Sequence, residues 1–204
     1  MRNVRELRQA HEEKKYEIRK RLKEFEQIRK NKLNDLFVEL CFCLCTPMSK
    51  AERVIQVINY DNKNLLLKSD KEKIADALKG FARFHNNKAK YIMEARKKKH
   101  LLKKIPQEGS EARNFLLENF KGIGLKETSH FLRNIGYKDL AILDTHIINC
   151  LHELKVLGSN KRPSSKKQYE QMEKQFKTFS EKVEIPLDEL DLLFWSSKTG
   201  KILK

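Results

Sequence analysis

The stretch that decides the fold is Asn119-Phe120-Lys121-Gly122-Ile123-Gly124-Leu125-Lys126-Glu127-Thr128-Ser129-His130-Phe131-Leu132-Arg133-Asn134-Ile135-Gly136, continued at Ile142-Leu143-Asp144-Thr145-His146-Ile147. Two helix-like segments flank a Gly-Ile-Gly turn. Glycine has no Cβ, so the backbone turns tightly there and approaches a ligand closely. The amides that open the second helix have no intrahelical partner and carry partial positive charge, which suits a phosphate. Thr128, Phe131, Leu132 and Ile135 recur at i, i+3, i+4 and i+7, a core-facing stripe. At about 100° per residue, Lys126 points away from that stripe and shares its side with Ser129, His130 and Arg133. Asp144 ends the apolar run 141–143 and stands before a helix carrying Ile147, Ile148, Leu151 and Leu154. An aspartate there is also a good N-cap.

These residues resemble the helix-hairpin-helix DNA glycosylases, most closely the type 2 8-oxoguanine DNA glycosylase/lyases. The resemblance rests on Lys121-Gly122-Ile123-Gly124 with Lys126, on residues 129–134 with Gly136, and on Asp144-Thr145-His146-Ile147. It implies an all-α fold with two helical lobes around a DNA-binding cleft, and no iron–sulfur cluster, since no cysteine follows Cys150. Lys126 is matched to the family nucleophile and Asp144 to its essential acid. Lys121, Gly122 and Gly124 would touch the DNA backbone. His130 and His146 are assigned supporting roles.

The balance of charge agrees. Of 204 residues, 44 are Lys or Arg and 28 are Asp or Glu, a net charge of +16. That favours an anionic partner, nucleic acid or a membrane surface. No apolar run is long enough to span a bilayer, and the N-terminal residues lack a signal-peptide core. The expected setting is therefore intracellular, the cytoplasm or nucleoid of a prokaryote. Cys41, Cys43 and Cys45 alternate in an apolar run and read as buried reduced thiols. Their one-residue spacing fits zinc poorly, so no metal and no cofactor are expected.

Residues 4–30, free of Gly and Pro, read as one long helix, or two meeting near 11–15. Residues 36–45 read as a central buried helix ending before Pro47. The polar loop that follows, 46–50, resembles the family loop that approaches the gap left by an extruded base, or is an ordinary connection. Helices are expected over 51–59, 70–79 and 87–102. Ser69 is the expected N-cap of the second, with Glu72 completing a capping box. By the resemblance, Phe84 stacks on the flipped base, with Phe81 as competitor and a core position as the alternative. The basic run 96–100 ends a helix, where cations suit the dipole, or touches phosphate. A linker at 105–110 leads into the first hairpin helix, 111–120, with Ser110 as its cap. It divides an N-terminal lobe, 1–108, from a helix-hairpin-helix lobe with a C-terminal helix and base-pocket tail, 109–204. Helices over 167–183 and 187–199 complete the chain. The C-terminal residues again resemble the family: Trp195 would stack on the base, and Lys204 would fold its terminal carboxylate into the base pocket.

The function implied is bifunctional excision of 8-oxoguanine, with a Schiff base on lysine and β-elimination at the abasic site. The partner is duplex DNA carrying 8-oxoguanine or an abasic site, bound by a monomer with no membrane. The alternatives are a non-catalytic helix-hairpin-helix binding module, or a glycosylase for another damaged base.

Overall fold

Long straight side chains cost little rotamer freedom in a helix, and α1, Val4–Lys30, forms without a break. A computed structural model describes residues 3–202, and all its regular structure is helical, with no strand among the described residues. The buried residues of α1 are Leu7, His11, Ile18 and Phe25, a narrow stripe, while Arg5, Arg8, Lys20 and Lys23 are exposed. The next helix, α2, Leu33–Cys45, is buried without interruption from Leu36 to Cys45. Its neighbours are α3 (Ala51–Val57), α4 (Lys63–Lys68), α6 (His85–Lys97) and a 3₁₀ turn, Lys99–Lys104. Helix α5, Lys71–Leu78, packs on α6.

Three local expectations change. The short helix α4 has no capping hydrogen bond at its start and no long apolar stripe, so the sequence gives little sign of it. It is held by burial of Leu66 and by Arg96, which donates to the carbonyls of Leu66 and Ser69 at 2.7 and 2.8 Å. The N-cap of α5 is Asp70, not Ser69: the Asp70 carboxylate accepts from the Lys73 amide at 2.8 Å, and Ser69 ends α4 instead. The first hairpin helix, α7, is Gly109–Asn119, capped by Glu108 rather than Ser110. A glutamate reaches both first-turn amides here, and the Ser110 hydroxyl also donates to it at 2.6 Å. The Ser110 hydroxyl and the amides of Ser110 and Glu111 pull the Glu108 carboxyl down to about 2.

The remaining helices are α8 (Leu125–Asn134), α9 (Thr145–Glu153), α10 (Lys166–Val183) and α11 (Leu187–Thr199). The chain groups into a terminal unit, Met1–Gln27 with Leu132–Lys204, and a central unit, Ile28–Phe131. The linker at 105–110 lies inside the central unit. The N-terminal helix groups with the last helices because charge ties them: Glu189 of α11 meets His11 at 2.6 Å and Arg19 at 2.8 Å, and Lys14 donates to Ser196 at 3.1 Å. Sequence distance hides such pairs.

The terminal unit also buries an acid at a cost. Asp188 is 5% exposed, and burial raises its carboxyl to about 6, although the Asp139 amide, Arg133 and Lys138 oppose the rise. For an acid whose folded pKa is raised, the penalty is full above pH 6 and vanishes below the unfolded value near 3.9. Stability should therefore fall as pH rises from 4 to 6, by ~3 kcal/mol for about two units. Asp188→Asn keeps an acceptor for the Asp139 amide and should remove this slope, raising Tm at pH 8 relative to the parent. Parallel Tm–pH curves for the two proteins would rule the penalty out.

Candidate active site

The hairpin turn lies in the central unit. Phe120 ends α7 in extended conformation and is 2% exposed, and the Lys98 ammonium donates to the Asn119 carbonyl at 2.9 Å. Gly122 has φ +87, and a Cβ there would sit 2.5 Å from Cδ2 of Tyr91. Glycine thus supplies the left-handed turn and also the space for the Tyr91 ring. Tyr91 carries no sequence signal for this role. Gly124 opens α8, and its amide donates to Glu127 Oε2 at 3.1 Å. The Thr128 hydroxyl returns to the Gly124 carbonyl at 3.0 Å. Glu127 stands three residues after Gly124, the capping-box spacing, so the signal for this cap was present in the sequence. The Gly124 amide, expected free for phosphate, is engaged by Glu127 in this structure. Lys121, Gly122 and Gly124 are all exposed.

Lys126 is the second residue of α8, with its side chain 25% exposed and its ammonium 3.6 Å from Glu127 Oε1. The side of α8 on which it was placed is not open. Ser129, His130 and Arg133 are 0, 7 and 3% exposed, as buried as the apolar stripe. Contacts from elsewhere in the chain account for their burial. Ser129 lies 3.3 Å from the Arg113 guanidinium, and His130 stands edge-on to Phe42 at 5.7 Å. Arg133 lies over the Phe25 ring at 5.0 Å and 3.5 Å from Asp191. Lys126 is thus the cation where α8 emerges from packing.

Asp144 belongs to the terminal unit. α8 ends in a Schellman motif: the amides of Gly136 and Tyr137 bond back to the carbonyls of Arg133 and Leu132, each at 3.0 Å. Gly136 is required twice, by φ +87 and by Glu26, whose Cα would lie 2.7 Å from a Cβ. The apolar run that follows is anchored by α10, since the Tyr169 hydroxyl donates to the Ala141 carbonyl at 2.6 Å and the Ala141 amide donates to Glu173 at 2.8 Å. Asp144 then caps α9, its Oδ1 accepting from the Ile147 amide at 2.8 Å. The cap uses one carboxylate oxygen. Next to it, Thr145 is held by the Arg162 guanidinium.

His146 ties α9 to α11, with Nε2 2.7 Å from the Phe194 carbonyl oxygen and its ring 5.6 Å from the Trp195 ring. The Lys198 ammonium lies over the same Trp195 ring, 5.2 Å from its centre. α11 is buried from Leu187 through Phe194 and again at Ser196, while Trp195 between them is partly exposed. It is not a core tryptophan. Lys204 lies outside the described residues.

The two candidate aromatics of the central unit are likewise not core. Phe84 is 63% exposed and Phe81 37%. The basic run 96–100 is spent largely on structure: Arg96 on the end of α4, Lys98 on Asn119, Lys99 on Asn34 at 2.8 Å. Cys41, Cys43 and Cys45 are free and fully buried, and burial pushes the Cys45 thiol up to about 12. Among the described residues, no group of three or more His, Cys, Asp and Glu is placed to hold a metal, and no helix is long and apolar enough to cross a membrane.

Comparison with known proteins gives concordant matches. A family model described as 8-oxoguanine DNA glycosylase matches residues 18–185. An 8-oxoguanine DNA glycosylase/AP lyase of Fusobacterium nucleatum is 36% identical, covering 98% of this chain and 96% of its own. One from Methanocaldococcus jannaschii is 38% identical over 92% of this chain and 91% of its own. Among solved structures, the M. jannaschii 8-oxoguanine glycosylase/lyase in complex with a 15mer DNA containing 8-oxoguanine superposes with a TM-score of 0.91 at 35% identity, covering 98% of this chain and 99% of that one. The 8-oxoguanine DNA glycosylase of Thermotoga maritima gives 0.90 at 33% identity, covering 98% of each chain.

Proposed function

The chain belongs to the 8-oxoguanine DNA glycosylase family, and we propose that it excises 8-oxoguanine from duplex DNA and cleaves the strand at the resulting abasic site, in base excision repair. The observation that carries its chemistry is Lys126, an accessible amine at the start of the second hairpin helix, two residues beyond the Gly-Ile-Gly turn.

The steps follow from what these residues can do. The target base leaves the stack, and the exposed ring of Phe84 and the partly exposed ring of Trp195 are the surfaces we assign to it. The unprotonated amine of Lys126 attacks C1′ of the deoxyribose, and the bond from C1′ to the base breaks, the base leaving with the electron pair and a proton. The sugar ring then opens to a Schiff base between C1′ and the lysine nitrogen. Loss of a C2′ proton expels the 3′ phosphate, which cleaves the strand by β-elimination. Asp144 stabilises positive charge developing on the sugar and assists proton movement. Lys121 and the exposed backbone at Gly122 and Gly124 hold phosphate, a sequence-independent contact. For Gly124 this requires the Glu127 carboxylate to release its amide. Relatives from bacteria and archaea support a setting in the cytoplasm or nucleoid of a prokaryote.

Borohydride reduction tests the reading. A covalent protein–DNA adduct should form on a duplex containing 8-oxoguanine and not on its undamaged counterpart. Tight binding to both duplexes without an adduct would leave a non-catalytic hairpin module.

A further inference from the structure

Several cations of the central unit rest on neutral oxygens. Lys88, only 4% exposed, donates to the Cys45 carbonyl, the Pro47 carbonyl and the Ser49 hydroxyl, each at 2.7 Å. Arg96, Lys98 and Lys99 likewise donate to carbonyl oxygens or to an asparagine side chain. Lys126 is placed differently. Its ammonium faces a carboxylate oxygen, Glu127 Oε1, at 3.6 Å, and Glu127 Oε2 accepts from the Gly124 amide at 3.1 Å. One side chain thus engages both groups that the start of α8 would offer to DNA, the amide to a phosphate and the amine to the sugar.

This contact carries more than a cap needs. In a capping box the residue three places on accepts from the N-cap amide, and glutamine does this as well as glutamate. The carboxylate adds a negative charge at the place where a phosphate would arrive. The helix dipole favours an anion at this end, whichever anion it is, so carboxylate and phosphate compete for one position. The Glu127 side chain is only 16% exposed, held against the turn rather than extended into solvent. The turn also has supports that do not involve it. The Thr128 hydroxyl bonds the Gly124 and Leu125 carbonyls at 3.0 and 2.9 Å, and the Tyr91 ring packs on Gly122. The carboxylate can therefore swing away while the hairpin keeps its shape.

We propose that Glu127 is an intramolecular stand-in for the DNA phosphate. In the free protein its carboxylate holds the Gly124 amide and the Lys126 ammonium, and the backbone of duplex DNA displaces it from both. This rests on the excision reading above. Glu127 is a positioning residue: it keeps the nucleophile folded back on the turn until a phosphate docks, and the same exchange that fills the amide frees Lys126 for the sugar. The exchange makes and breaks no covalent bond.

The test is Glu127→Gln, which keeps an acceptor for the Gly124 amide and removes the charge. Its Tm should stay near the parent value, whereas Glu127→Ala loses the cap and should be less stable. Affinity of Glu127→Gln for an undamaged duplex at fixed salt should rise by up to about fivefold, the most that one partly exposed ion pair is worth. The half-saturating protein concentration for excision of 8-oxoguanine should fall by the same factor. The single-turnover rate at saturation should stay within about twofold, because the carboxylate has already left the site in the complex. In nitrogen-labelled parent protein, adding undamaged duplex should move the Gly124 amide resonance. A folded Glu127→Gln protein with unchanged affinity and half-saturation would reduce Glu127 to a cap and overturn the proposal. So would a Gly124 amide resonance that DNA leaves in place, or a fall in the saturating rate, which would make the carboxylate a participant in the reaction. A parent protein that binds the duplex but traps no adduct would sink the excision reading instead, and the exchange at the hairpin would still be measured by affinity and by the Gly124 amide.

Discussion

Lys126→Gln should give no borohydride-trapped adduct on 8-oxoguanine duplex, and excision should fall on the order of 10³-fold or more, as when other enzymes lose a nucleophile. Glutamine is close to lysine in helix propensity and keeps the two methylenes nearest the backbone, so α8 should start as before. Lys126 contributes one ion pair with Glu127 at 3.6 Å, and a pair with both partners partly exposed is worth at most about 1 kcal/mol. Glu127 keeps its bond to the Gly124 amide in the variant. Folding, measured by Tm, should therefore change little, and duplex affinity should weaken by about one phosphate contact in its salt dependence. An adduct of undiminished yield would move the Schiff base elsewhere, and peptide mapping would then show whether Lys121, the exposed lysine of the same turn, carries it.

The candidate site was more legible in the sequence than the boundaries around it. Gly122 and Gly136 could be read because positive φ leaves a residue-type signature, and Asp144 because capping is local chemistry. The Asp144 cap is found as expected, and so are the buried helix α2 and the all-α fold. What failed had non-local causes. Periodicity placed Ser129, His130 and Arg133 away from the core-facing stripe, because a single stripe cannot report that Arg113, Phe42, Phe25 and Asp191 approach from other parts of the chain. The grouping of α1 with the last helices depends on Glu189, some 178 positions from His11. Caps failed where two capable residues compete side by side, as Ser69 with Asp70 and Glu108 with Ser110. Lys88 escaped because a lysine is normally read as solvated, whereas here three oxygens pay for its burial.

Asp144 separates capping from chemistry when two substitutions are compared. Asparagine is about as good an N-cap as aspartate, whereas alanine costs about 1 kcal/mol. Asp144→Asn should therefore keep the bond from the Ile147 amide, now 2.8 Å from Oδ1, and hold Tm near the parent value. Asp144→Ala should lower it. Both lose the negative charge, and with it the stabilisation of positive charge on the sugar as the base departs, so both should lower single-turnover excision about 10²- to 10⁴-fold. The losses should be unequal across substrates. At a ready-made abasic site the base has already gone and the amine meets an aldehyde, so Asp144→Asn should impair strand cleavage there less than it impairs excision. The charge, and not the helix start, is then what the reaction uses. A folded Asp144→Asn protein with normal excision would reduce Asp144 to a cap, and a loss of excision that tracked Tm across the two variants would lead to the same conclusion.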